Sequence, residues 1–142
     1  MIQYVTLLDD DIVWQSRGQY FQILELFISW GITVEEFFQQ YGQLQWSNRN
    51  AYEMRQKNLE TEAFGILPEA SEIDFQLNPQ SRGFTEILSS IESDINLFDP
   101  DIDLDMNLKH PELIGYGISE EFLILDLKDN FLPRIGEYCN KP

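Results

Sequence analysis

Four consecutive residues, Thr33-Val34-Glu35-Glu36, limit the fold of this chain more than any others. A threonine followed three positions later by glutamate is a capping box. The Thr33 hydroxyl can accept from the amide of residue 36 while the Glu36 carboxylate reaches back. On either side lie apolar stripes at helical spacing. Tyr20, Phe21, Ile23, Leu24, Phe27, Ile28 and Trp30 predict a helix over about Gln19–Trp30, ended by Gly31 at positive φ. Val34, Phe37, Phe38 and Tyr41 predict a second helix, stopped by Gly42. Helices joined by so short a turn pack antiparallel.

Further helical patterns follow. Ser47 to about Phe64 carries Tyr52, Leu59, Ala63 and Phe64 on one side, together with Arg49, Arg55 and Lys57, the positive cluster of the chain. Glu53 stands four residues before Lys57, the favourable order for a helical ion pair. Pro68, Pro79 and Gly83 mark residues 65–83 as loop, with a short helical turn over 69–74. Thr85–Leu97 is helical, with Ile87, Leu88, Ile91, Ile95 and Leu97 inward, and Pro100 breaks it. Residues 101–108 alternate strictly between polar and apolar, which predicts an extended edge segment with Ile102, Leu104, Met106 and Leu108 facing the core. Ser119-Glu120-Glu121 caps a last helix to about Asp129, although Phe122–Leu127 also reads as a buried strand. The expectation is a mainly α, single-domain bundle of about five helices with a short extended or β segment near 101–108; α+β is the alternative.

Charge excludes several functions. With 25 acidic and nine basic side chains among 142 residues, the net charge is −16. Such a chain has few cations to set against nucleic-acid phosphates, and anionic membranes repel it. Yet 43% of its residues are hydrophobic and 13% aromatic, too many for a disordered acidic tail. The N-terminus meets Asp9-Asp10-Asp11 where a signal peptide would carry basic residues, so the expected compartment is the cytoplasm.

Catalytic chemistry is hard to place. His110 has no second histidine to share a metal, and Cys139 is a lone thiol without basic neighbours. No phosphate-cradling glycine loop or hydrolase motif is present. The expectation is no enzyme, no cofactor and no metal. Asp101, Asp103, Asp105, Asn107 and Glu112 do fall at positions 1, 3, 5, 7 and 12 of a calcium loop. But Met106 occupies the position where the sharp turn needs glycine, and Pro111 precedes the last ligand, which favours a solvated acidic ribbon.

The acid is unevenly placed. Residues 1–71 carry ten acids against four bases, and residues 72–142 fifteen against five. Glu86, Glu92, Asp94, Asp99, Asp101, Asp103 and Asp105 follow one another with no Lys or Arg between Arg82 and Lys109. Beyond solubility, such a run suits docking on a basic partner, since complementary charge speeds encounter toward ~10⁸–10⁹ M⁻¹s⁻¹. Trp46 and Tyr116, the latter between Gly115 and Gly117, are the aromatic anchors outside the helical stripes. In charge and size the chain resembles the immunity proteins that bacteria pair with secreted toxins, including those of contact-dependent inhibition. That resemblance implies a protein inhibitor, an antitoxin forming a tight complex over or beside the active site of a basic, nuclease-like toxin. The alternative is a cytoplasmic adaptor or regulatory interaction domain without catalysis.

Overall fold

A computed structural model describes residues 11–62 and 80–140, and the fold is mainly α. Residues 11–15 are helical and lead into α1 (Arg17–Ile28). Then come α2 (Val34–Glu62), α3 (Ser81–Leu97), α4 (Leu104–Lys109), a 3₁₀ turn (Pro111–Tyr116), α5 (Glu120–Asp126), a π turn (Leu127–Phe131) and α6 (Leu132–Cys139).

The capping box closes as expected. The Glu36 amide donates to the Thr33 hydroxyl at 3.1 Å, and the Thr33 amide donates to Glu36 at 3.2 Å. Antiparallel packing of α1 on α2 follows in the pairing of aromatics. Phe27 stacks on Phe37 with ring centres 4.3 Å apart, and Tyr20 meets Tyr41 edge-on at 5.3 Å. The residue at positive φ in the turn is Trp30 (φ 63°), not Gly31. The Trp30 amide donates to the Phe27 carbonyl at 3.1 Å and the Gly31 amide to the Leu26 carbonyl at 2.7 Å, the paired bonds of a Schellman end. Gly31 serves close approach instead, because a Cβ there would lie 3.1 Å from the Leu26 carbonyl oxygen.

Gly42 does not stop the second helix, which runs on through the third predicted one as a single element to Glu62. A glycine ends a helix where the chain needs positive φ, and Gly42 has no such φ. A Cβ at Gly42 would also meet nothing within 4 Å. Gly42→Ala should therefore raise stability by about 0.8–1 kcal/mol, read as a higher melting temperature at unchanged helix content. Along α2, Glu53 pairs with Arg49 at 3.3 Å. The short helical turn expected over 69–74 lies outside the described residues.

Helix α3 starts at Ser81, four residues before the expected Thr85, and takes in Gly83. There the glycine admits a neighbour: a Cβ would come within 2.6 Å of the Tyr138 hydroxyl. Residues 119–129 are helical rather than strand. The Ser119 hydroxyl accepts from the Phe122 amide at 3.0 Å, and α5 continues through the π turn into α6. The core gathers Tyr20, Leu24 and Phe27 of α1, Phe37 and Tyr41 of α2, Phe84, Ile87 and Ile91 of α3, and Leu123, Leu127 and Ile135 from the C-terminal helices. Trp14, Phe84 and Tyr138 pack edge to face over the α1–α6 seam, where Arg17 donates to the Tyr138 carbonyl at 3.1 Å.

The extended segment expected over 101–108 does not form. Asp103 accepts from the Met106 amide at 2.8 Å and caps α4. Aspartate is a poor strand former and a strong helix cap, and here capping prevails over alternation. Ile102 and Leu104 turn partly inward as expected, whereas Met106 and Leu108 are exposed. Among the described residues, β pairing is confined to one bridge, Phe98 with Ile118.

Candidate functional site

The seven acids of the run do not form one face. Glu86 lies on the open side of α3, 3.9 Å from Arg82. Glu92, six residues on and so on another side of the helix, points toward α2 and accepts a hydrogen bond from the Gln45 amide. Asp94 is half-buried against Asp126 at the end of α5, and no N–H donor reaches its buried Oδ2. Two carboxylates share a hydrogen bond only when one keeps a proton. Burial first, then Asp126, push Asp94 up to about 8. Asp94 therefore holds its proton to higher pH than an exposed carboxyl and adds less charge to the surface. Asp126 in turn accepts from the side-chain amide of Asn130 on the π turn.

The remaining acids shape the chain from 99 to 119. Asp99 Oδ1 accepts from the Asp101 amide at 2.9 Å, an Asx turn that redirects the backbone after α3. Asp103 is used as the α4 cap. Asp101 and Asp105 stay exposed, Asp105 beside Lys109 at 3.3 Å. Glu112 is exposed 3.2 Å from His110 Nδ1; a backbone amide hydrogen bond, aided by His110, holds its carboxyl below the ordinary value. The calcium-loop spacing thus has no matching geometry: Asp103 binds backbone and Asn107 points inward. Among the described residues, no three His, Cys, Asp or Glu side chains gather as metal ligands.

Asn107 holds this segment in place. It is 2% exposed, donates to the Gly117 carbonyl at 3.0 Å and accepts from the Ser119 amide at 2.8 Å. The Asp99 amide also donates to Ile118 at 2.9 Å, and the Ile118 amide to Leu97 at 2.8 Å. Gly117 admits Ile102, whose Cδ1 would lie 2.4 Å from a Cβ there. On the frame so tied, Met106, Leu108, Leu113 and Tyr116 are exposed, Tyr116 at 84% and Leu108 at 59%. Asp101, Asp105 and Glu112 are interspersed with them. This platform, residues 101–116, thus exposes four large apolar side chains in one stretch of chain alongside acids, Lys109 and His110.

Trp46 stands apart on α2, 68% exposed. It borders a groove of about 790 Å³ between α2 and α3, also lined by Gln45, Arg49, Tyr52, Arg82 and Glu92. Beside it a smaller cavity of about 150 Å³ includes Tyr41, Gln45 and Glu92 in its wall. The Gln45–Glu92 hydrogen bond is common to both. Phe38, also in that wall, packs edge-on against Phe98 at 5.2 Å, which joins the cavity to the base of the platform. Sequence reasoning named Tyr116, Trp46 and the seven acids, which lie on α2, on α3 and in residues 99–116. It missed Asn107 as a buried tie, Asp126 as the partner of Asp94, and the outward turn of Met106 and Leu108.

Comparison with protein-family models, curated proteins and solved structures finds no match. No helix among the described residues is long and apolar enough to cross a membrane.

Proposed function

We propose that this chain is an acidic protein-binding inhibitor that docks a basic partner through the 101–116 platform. The partner in this reading is a cognate, nuclease-like toxin of a bacterial immunity pair, covered at or beside its active site. The observation that carries the reading is the exposure of Leu108 and Tyr116, with Met106 and Leu113, on a segment that Asn107 ties to the fold and that carboxylates intersperse in sequence. Apolar groups exposed on a tied segment and interspersed with charge suit a partner interface, because little ordering is left to do on binding. The acids give speed and sign selectivity, and the apolar residues give residence time.

The test is capture of the partner from the cells of origin, followed by association kinetics with the purified pair. The captured protein should be basic, and its association rate should fall steeply between 50 and 500 mM salt. Tyr116→Ala and Leu108→Ala should each speed dissociation about tenfold or more, with the fold intact by circular dichroism. Added inhibitor should block the partner's activity at a one-to-one ratio. An acidic partner, salt-independent association, or full affinity in both variants would overturn the reading.

A further inference from the structure

We propose that the small cavity between α2 and α3 beneath Gly42 is a socket for a primary ammonium group, filled in the complex by a lysine side chain of the basic partner. Tyr41 is 1% exposed, and its hydroxyl is buried without a hydrogen-bond partner. No water-sized space reaches that oxygen, so what Tyr41 offers the cavity is its ring, and the polar groups of the wall come from Gln45, Glu92 and Asn96. Glu92 is close enough to raise the Tyr41 hydroxyl further, after burial and Tyr20. The Glu92 carboxylate has the neutral Gln45 amide as its hydrogen-bond partner. The Gln45 nitrogen being so engaged, its oxygen is left as an acceptor, and Asn96 offers another on the same wall. One carboxylate and several neutral acceptors around one space suit a small cation with several N–H donors. The rings of Phe38 and Tyr41 and the side chain of Ile95 offer contacts for methylenes.

Gly42 makes an entrance. A glycine within a 29-residue helix weakens it, yet no neighbour of Gly42 would touch a Cβ and no unusual φ requires it. Its missing side chain leaves the cavity edge open to solvent. The gap suits the slim stem of lysine better than the planar fork of arginine. At about 150 Å³ the cavity far exceeds the ~10–15 Å³ that holds one water. Arg49 and Arg82 line the larger groove on the other side of the Gln45–Glu92 bond, and lie 3.3 Å from Glu53 and 3.9 Å from Glu86 respectively. The net charge of −16 favours entry of a cation. That the ammonium comes from a protein rests on the inhibitor reading; the chemistry of the socket does not.

The experiment is amide-resolved NMR titration of the intact protein with Nα-acetyl-lysine methylamide and, separately, its norleucine analogue, which has the same stem without the ammonium. The lysine probe should give saturable shifts at Gly42, Gln45 and Asn96, and norleucine should bind about tenfold or more weakly for want of the charge-assisted contact. Glu92→Gln should remove that preference, and Gly42→Leu should abolish both signals at unchanged helix content. Equal binding of the two probes, absence of saturable shifts, or an undiminished preference in Glu92→Gln would overturn the socket. None of these results bears on docking at the platform, which Leu108→Ala and Tyr116→Ala test with the partner itself.

Discussion

Replacing Asp94 with asparagine should flatten the pH dependence of unfolding across the range from about pH 4 to about pH 8. In the folded chain Asp94 titrates at about 8, raised from 3.8, by burial and then by Asp126. Between those values the folded state keeps a proton that the unfolded state has released. Stability therefore falls as pH rises, by at most about 1.4 kcal/mol per unit for one group, and levels off once the folded carboxyl ionises too. Asp94 is only half-buried, so water screens the pair. The total is on the order of 2 kcal/mol, well short of what the full shift would convert to. Asparagine keeps the shape and can donate its amide to Asp126 where the proton was. Asp94→Asn should match the wild type near pH 4 and exceed it by about 1–2 kcal/mol at pH 8. Urea midpoints at pH 4.5, 6 and 8 decide the matter. A slope equal to that of the wild type would mean that another group is titrating. Part of the slope will survive in any case, through general repulsion among the remaining acids.

Where the sequence was readable, the deciding interactions are local. The Thr33–Glu36 box joins residues three apart, and the antiparallel α1–α2 pair follows from it. Ser119 as a cap and the helical stripe of α3 are equally local. The misreadings arise where one residue type serves two purposes. Glycine signals a turn at Gly42 and Gly83, but one lines a cavity and the other admits Tyr138. Aspartate at every second position imitates a solvated strand over 101–105, while its actual uses are an Asx turn at Asp99 and a helix cap at Asp103. The partner of Asp94 lies 32 positions downstream on another helix, and no local pattern points to it. For the candidate site, sequence reasoning singled out the acids, Trp46 and Tyr116, of which Trp46 and Tyr116 are exposed. Which acids face outward depends on how α3 is rotated against α2 and α5, and that is settled by packing.

The second large effect is expected at Asn107. Asn107→Ala removes both the donor to Gly117 and the acceptor for the Ser119 amide, leaving two buried backbone groups unpaired. Each such orphan costs about 1–3 kcal/mol, so a loss of about 2–4 kcal/mol is expected overall. Asn107→Asp separates the two bonds: its carboxylate can still accept from Ser119, but it faces the Gly117 carbonyl with no proton to donate. It should retain part of the stability at low pH, where a protonated carboxyl can donate, and lose it as pH rises. On the inhibitor reading proposed above, partner affinity should respond more strongly than stability, because a loosened platform must be ordered again on binding. Hydrogen exchange gives the decisive reading. In Asn107→Ala the amides of Ile118 and Ser119 should lose protection well before those of the α1–α2 core. If both regions lose protection together, the platform is one cooperative unit with the bundle. If neither changes, Asn107 is not what holds the platform in shape.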